Sequence, residues 1–358
     1  MSGRNAVCLC TDRKMLIPAL FVANSVNRAA APARPFDTIV FTGPTDVSLA
    51  HRQWMSENRI KHSEDLETSP IDDVGILQKR LSSATLMKLL LPGHLAGRYD
   101  KILYLDADLT IHDDVSSIFS LDAGEYALAA VPSGRIWADR SETERQRAEE
   151  HFSALGMTAP YRFFNTGVML IDVDRWNRND LSSRALSFIR EHPGICLLPD
   201  EDALNGVLDG RIAELSPIWN MQPVRPGLRI MHRIACPVIV HHVGVHKPWR
   251  RYGYGKRLFQ DRRAYRLYKA FLTNTPWSGW LDEQWSGGDF YKSIVWEVRR
   301  VTRRLRGKLD EPSRRQRRAY VEAMRSYLAR SDFIDVAQGI TVRSKGTLRL
   351  KGSEASTT

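Results

Sequence analysis

The chain is short of several things, and each shortage excludes a class of protein. Its 358 residues include only four cysteines, Cys8, Cys10, Cys196 and Cys236, each in an apolar setting and none in CxxC spacing. That excludes a disulfide scaffold and leaves buried free thiols in a reducing compartment. No run of about 18 uncharged apolar residues occurs, which excludes a spanning helix. The opening run Ala6-Val7-Cys8-Leu9-Cys10 breaks at Thr11-Asp12-Arg13-Lys14 and lacks the apolar core of a secretory signal, so a cytoplasmic protein is expected. There is no internal repeat with a period of about 20–50 residues, which excludes solenoids.

Acidic residues are also in the minority, 41 against 52 Lys and Arg, for a net charge of +11. The imbalance is local: residues 290–330 hold 13 Lys/Arg against 4 Asp/Glu. Such a segment fits an anionic partner surface. With 43% hydrophobic and 26% charged residues, the remainder has the make-up of an ordinary folded α/β protein.

Strand patterns alternate with helical ones. Ala6–Cys10, Asp37–Thr42, Lys101–Leu105, Tyr126–Val131, Gly167–Ile171 and Val238–Val240 read as strands. Helices are predicted over Ile17–Val26, Ser48–Asn58, Ser82–Leu91, Glu142–Leu155 and Ala203–Val207, with Pro92 stopping the third. The alternation predicts a mostly parallel sheet flanked by helices, with ligands beyond the carboxyl ends of its strands. Residues 1–255 form this unit, 256–342 an aromatic and basic helical extension, and 343–358 a disordered tail.

Four motifs carry chemistry. Asp106-Ala107-Asp108 follows the strand Lys101–Leu105, and in extended backbone positions i and i+2 point the same way, so both carboxylates can face one cation. A solvated strand end would look the same. Val240-His241-His242-Val243-Gly244 leads to Lys247-Pro248-Trp249: a strand delivers His241, Gly244 allows close backbone approach, and Lys247 offers a point charge for phosphate. His242 and His246 read as satisfied structural residues, because Gly244 and Pro248 spoil the helix a zinc pair would need. Phe164-Asn165-Thr166-Gly167 fits either a tight turn or an amide for sugar hydroxyls, and Pro199-Asp200-Glu201-Asp202 opens a helix with more acid than its dipole needs.

Taken along the chain, a strand ending in Thr11-Asp12, then Tyr104-Leu105-Asp106-Ala107-Asp108, Phe164-Asn165-Thr166-Gly167, Pro199-Asp200-Glu201-Asp202-Ala203-Leu204-Asn205 and the segment His241 to Trp249 resemble, in order and spacing, the family 8 glycosyltransferases, which include bacterial lipopolysaccharide galactosyl- and glucosyltransferases and glycogenin; the match covers about residues 5–250. The resemblance implies a GT-A fold, a UDP-sugar donor, Mn2+ (with Mg2+ as the alternative ion) and transfer with retention. It implies Asp106, Asp108 and His241 as metal ligands, Asp12 on uracil with Cys10 and Thr11 lining the base pocket, and Ala107 against the ribose. Asn165, Thr166 and Gly167 would border the transferred sugar, Gly244 and Lys247 would hold the diphosphate, and Asp200 would read sugar hydroxyls. Three positions depart from the family pattern. Lys88 stands for a common Arg, Lys14 for a neutral residue near the ribose, and Glu201 for the Gln of the galactosyltransferases. Glu201 is therefore either a carboxylate nucleophile or an electrostatic support, with Asp200 and Asn165 as the other groups able to steady a positive sugar.

The expected reaction moves galactose, glucose or a uronic acid to a saccharide or lipid-linked acceptor, in lipopolysaccharide or envelope polysaccharide synthesis. A nucleotide-sugar hydrolase or nucleotidyltransferase would also use paired acids, but explains neither Asn165-Thr166-Gly167 nor the Gly244–Trp249 loop. The extension places Trp277, Trp280, Trp285 and Trp296 ahead of Arg299-Arg300 and Arg303-Arg304, with Phe290, Ile294, Val298, Val301 and Leu305 on one helical stripe. Peripheral attachment to the cytoplasmic face of an anionic membrane through 290–330 is the expectation. A nucleic-acid partner is the disfavoured one, because the Arg pairs lie outside the apparent core.

Overall fold

Period-two burial organises the centre of the molecule. The computed structural model describes residues 4–44, 47–75, 84–133, 142–158, 162–222, 237–244, 247–249 and 262–284, with a few isolated positions beyond. In the first strand, β1 (Asn5–Thr11), Val7 and Leu9 enter one core while Ala6, Cys8 and Cys10 enter another. Strand β4 (Lys101–Leu105) does the same with Leu103 and Leu105 against Ile102 and Tyr104. Alternation of this kind buries both faces of a sheet, as parallel strands require.

Between them lie α1 (Leu16–Ala29), β2 (Phe36–Thr42), α2 (Leu49–Glu57), β3 (Lys61–Ser63), α3 (Ser69–Gly75), α4 (Ala84–Met87) and α5 (Leu91–His94). After β4 come β5 (Leu109–Ile111), β6 (Leu128–Pro132), α6 (Glu142–Ala154), β7 (Phe164–Asp172), α7 (Val173–Arg178), α8 (Leu181–Glu191), α9 (Pro199–Leu208), β8 (Ala213–Glu214) and β9 (Ile239–His241). The seven-stranded sheet has the order β3-β2-β1-β4-β7-β6-β8. Only β7 runs against its neighbours β4 and β6, so the sheet is mostly parallel, as expected. Strands β5 and β9 form a separate antiparallel pair beyond the end of β4.

Two local expectations are corrected. Pro92 does not end a long helix: α4 stops at Met87, a turn follows, and Pro92 sits in the first turn of α5. A first-turn proline loses no hydrogen bond, since that N–H has no helical partner anyway. And Asn165-Thr166-Gly167 forms no turn before a strand but lies within β7, just after Phe164, where the ladder with β6 is irregular between Ala130 and Pro132.

Beyond position 255, α10 (Arg262–Thr273) buries Ala264, Tyr268, Phe271 and Leu272, the last three in the core that holds α1. Tyr268 stacks on Phe21 with ring centroids 3.8 Å apart, and Phe271 meets Trp54 edge-on at 5.6 Å. Tyr268→Ala should therefore lower the unfolding free energy by about 3–5 kcal/mol, the usual cost of emptying a buried aromatic site, measured by urea denaturation. His246, the helix expected over Phe290–Leu309, the basic stretch 290–330 and the tail 343–358 lie outside the described residues, isolated positions apart. Among the described residues no helix is long and apolar enough to cross a membrane.

Candidate metal and donor site

The acids leave the sheet where β4 ends. Asp106 N–H donates to Gly167 O at 2.8 Å, still holding β7, and the chain then enters β5. Pairing of β5 with β9 sets Leu109 opposite His241, and Asp108 O accepts from His242 N–H at 2.9 Å. Sheet register thus brings His241 to the two acids. Its Nε2 lies 3.0 Å from Asp108 Oδ1 and 3.8 Å from Asp106 Oδ2. One ligand atom from each of the three residues falls within 4.8 Å of the others, a spacing one cation can bridge. Two carboxylates and one imidazole form an oxygen-rich set with a single nitrogen, which suits Mn2+ or Mg2+ with water and ligand oxygens completing the shell.

Gly167 makes room for this cluster. A Cβ built there would stand 2.7 Å from Asp106 Oδ2 and 2.8 Å from His241 Nδ1, and would also strike the His241 Cε1 edge. On the other side Lys247 Nζ pairs with Asp108 Oδ2 and donates to His242 O at 2.9 Å. Burial alone would raise the pKa of Asp108, but His241 and Lys247 outweigh it and hold the carboxylate well below its ordinary value. His242, by contrast, is buried and meets Thr110 Oγ1 at 3.1 Å, a satisfied structural residue.

Behind Asp106 lies a buried cation. Lys88 is 1% exposed and donates to Asp200 Oδ2 at 2.7 Å, Asp106 Oδ1 at 3.1 Å and Thr166 O at 3.5 Å. Its ammonium also sits 4.6 Å from the Tyr104 ring centre, and Tyr104 Oη donates to Asp106 at 2.8 Å. Burial would lower the pKa of Lys88, yet Asp106 and Asp200 raise it above the ordinary lysine value. All three ammonium protons thus have protein acceptors. Lys88→Met should cost about 3–5 kcal/mol of stability, because it leaves Asp200 buried without its cation; urea denaturation measures it.

The three acids of α9 separate into different tasks. Asp200 holds Lys88 and accepts from Thr166 Oγ1 at 2.8 Å. Glu201 Oε2 accepts from Asn165 Nδ2 at 2.6 Å. Asp202 is fully buried and structural: it accepts Leu198 N–H at 2.8 Å and meets His151 Nε2 of α6 at 3.0 Å. Asn205 ties α9 to β7 through both the N–H and the O of Phe164.

A cleft of about 550 Å³ joins these groups at the carboxyl ends of the strands. Cys10, Thr11, Asp12, Lys88, Asp106, Ala107, Asp108, Asn165, Thr166, Asp200, Glu201, His241, Gly244 and Lys247 all line it. Asp12 Oδ1 accepts Lys14 and Met15 N–H at 2.9 and 3.0 Å, fixing the turn into α1. Gly244 takes φ +79°, a backbone state that favours glycine. Two expected site residues stand apart: Gly167 lies under the metal ligands, and Lys14 is exposed and outside the lining. A second groove, about 770 Å³, opens at the other ends of the strands, near Asn5, Phe36 and Lys61, and holds none of the expected site residues.

Sequence reading passed over Tyr104 and Asn220. Tyr104 had a usable signal, standing two residues before Asp106 on one face of a strand. Asn220 had none: it lies in a short 3-10 exit and is placed only by the fold.

An α/β protein with this sheet order and this Asp-Asp-His cluster at the carboxyl edge belongs to the GT-A class of glycosyltransferases. Among solved structures, a galactosyltransferase LgtC in complex with donor and acceptor sugar analogs superposes with TM-score 0.60 at 22% identity, covering 74% of this chain and 95% of that one. The apo form of the bifunctional glycosyltransferase WbbM gives TM-score 0.59 at 17% identity over 79% of this chain and 52% of that one. The family model described as glycosyl transferase family 8 matches residues 6–253, and the chain belongs to that family; it is a glycosyltransferase. Similar proteins include general stress protein A of Bacillus subtilis, 24% identical over 64% of this chain and 79% of that protein. Lipopolysaccharide 1,3-galactosyltransferase of Salmonella typhimurium is 25% identical over 56% of this chain and 57% of its own length. For lipopolysaccharide 1,2-glucosyltransferase of Escherichia coli the figures are 25%, 50% and 50%, so the match spans about half of these two relatives.

Proposed function

We propose that the protein transfers a hexose from a UDP-sugar to a saccharide or glycolipid acceptor, with retention at the anomeric carbon, in lipopolysaccharide or envelope polysaccharide synthesis. The observation that carries this reading is one cleft joining two sets of groups. A metal-type cluster, Asp106, Asp108 and His241, stands beside Lys247, and a buried polar floor of Asn165, Thr166, Asp200 and Glu201 lies below. Names of similar proteins, a lipopolysaccharide galactosyltransferase and glucosyltransferase among them, support the hexose and the acceptor class.

In this reading the nucleoside lies along Cys10, Thr11, Asp12 and Ala107, and the diphosphate lies at Gly244 and Lys247. Asp106, Asp108 and His241 would hold Mn2+, or Mg2+, which when bound neutralises diphosphate charge as a Lewis acid. Lys247 adds a fixed positive charge where the leaving phosphate gains a negative one. As the bond between C1 and phosphate oxygen breaks, its electron pair departs with UDP. The acceptor hydroxyl attacks C1 from the same face and passes its proton to the departing phosphate oxygen. Glu201, steadied by Asn165, faces the positive charge that develops on the sugar, and Asp200 reads sugar hydroxyls. Lys88 takes a different part from Lys247: with its protons committed to Asp106, Asp200 and Thr166, it ties the metal ligands to the sugar floor. We extend the reading to a cytoplasmic protein held at an anionic membrane by the basic stretch 290–330.

A panel of UDP-sugars with Mn2+, read as UDP release with and without envelope glycolipid, tests the proposal. One sugar should stand out, and release should rise several-fold with acceptor. Chelation by EDTA should remove at least about 99% of turnover and added Mn2+ restore it, given that one lost charge-stabilising contact already costs 10²–10³. Full turnover in EDTA would end the metal assignment.

A further inference from the structure

We infer that Asn220 is a positioning residue for His241, the last link of an amide relay that starts at Glu201 and decides which imidazole nitrogen faces Asp106 and Asp108. The inference rests on the reading of Asp106, Asp108 and His241 as a metal site, and extends it to a residue that neither touches the cation nor lines the cleft.

The relay follows from what each group can donate or accept. A carboxylate has only lone pairs, so Glu201 Oε2, 2.6 Å from Asn165, turns the Asn165 NH2 toward itself and its oxygen away. That oxygen, Oδ1, accepts from Asn220 Nδ2 at 2.8 Å and from Gly167 N–H at 3.1 Å. Reversing the Asn220 amide would set two oxygens against each other, so Asn220 Oδ1 is directed to His241. It lies 3.1 Å from His241 Nδ1, and Asn165 Oδ1 lies 3.0 Å from the same nitrogen. Two acceptors and no donor at Nδ1 place the proton there. Nε2 is then the nitrogen left to face the carboxylates of Asp106 and Asp108.

With Nδ1–H held in this way, Nε2 is the nitrogen a metal ion would take. It stands 3.0 Å from Asp108 Oδ1, so the relay keeps the ring turned to the place where positive charge is needed. Water has little chance to scramble it: Asn165, Asn220, Glu201 and His241 are 7%, 1%, 5% and 3% exposed. The backbone places Asn220 as rigidly as the ligand it serves. Met221 N–H donates to Ile239 O and His241 N–H to Met221 O, both at 2.9 Å, so Asn220 and His241 ride on adjoining extended segments. The same Asn165 amide serves Glu201 and His241, so the sugar floor and the metal ligand share one orientation.

The test is Mn2+ titration without donor, followed by the EPR signal of the free ion, on wild type, His241→Ala, Asn220→Ala and Asn220→Gln. Asn220→Ala should weaken Mn2+ about 10–100-fold, the usual effect of removing a metal ligand's hydrogen-bond partner, while Asn220→Gln, whose amide both accepts from Nδ1–H and donates to Asn165, should bind at least about threefold more tightly than Asn220→Ala. The 15N resonances of His241 should report a protonated Nδ1 in metal-free wild type. Mn2+ binding by Asn220→Ala equal to wild type, or by Asn220→Gln as weak as Asn220→Ala, overturns the relay. Binding unaffected in His241→Ala overturns the metal site itself; binding lost in His241→Ala but kept in Asn220→Ala overturns only the relay. If Asn220→Ala does not fold, Asn220→Gln and the wild-type 15N spectrum decide, and an unprotonated Nδ1 in wild type sinks the inference.

Discussion

Asp108→Asn is expected to reduce sugar transfer about 10²–10³-fold, or about 3–4 kcal/mol of transition-state stabilisation, while the protein stays folded. The substitution keeps shape but removes the charge that His241 Nε2 and Lys247 Nζ both face. An amide presents one neutral oxygen where the carboxylate offered two charged ones, so the cation is held more weakly. It also leaves Lys247 free to swing away from the position in which it meets phosphate. Loss of a buried ion pair should show as a modest fall in denaturation midpoint, with the circular dichroism spectrum unchanged. Turnover within tenfold of wild type, at saturating Mn2+, would contradict the placement of Asp108 beside the reacting diphosphate.

Gly167→Ala should act on the same site through space alone. Its new Cβ would stand 2.7 Å from Asp106 Oδ2 and 2.8 Å from His241 Nδ1, closer than real side chains approach. Neither neighbour can yield cheaply. Asp106 is tied to Lys88 and Tyr104, and His241 to Asn165 and Asn220. Forcing a methyl into packed surroundings costs about 1–3 kcal/mol of stability, and displaced ligands should lose Mn2+ affinity at least about tenfold. Isothermal titration with Mn2+ and urea denaturation measure the two effects separately. A Gly167→Ala protein with wild-type affinity would show that the cluster is not as tight against β7 as described.

Asp106 and Asp108 were legible in the sequence as acids just beyond a strand, but Ala107 and Asp108 lie in a turn between β4 and β5 and not in the extended backbone that a shared face would need. Their partner His241 was legible as the end of a strand, yet its meeting with the acids depends on β5–β9 register, which no local pattern encodes. Lys88 was legible as a charge near the site; that its ammonium binds three protein acceptors needed coordinates. Asn165-Thr166-Gly167 carries turn-forming residues, and local propensity pointed to a turn. Strand β7 runs through them nonetheless, held on one side by Phe164 paired with Pro132 and on the other by Val168 paired with Leu105. The acids of α9 looked alike in sequence, but Asp202 proved to be a buried clamp on Leu198 and His151.

By itself, then, the sequence determined the alternation of strands and helices, the burial of both sheet faces, the family, and most of the polar side chains in the cleft. Those features are written in periods of two and three to four residues and in short motifs, which are local. Only tertiary structure decided which of those side chains touch, which cations already have partners, and that Asn220 stands behind His241. Such contacts join residues far apart in the chain, and sheet register and burial, not neighbouring sequence, set their distances.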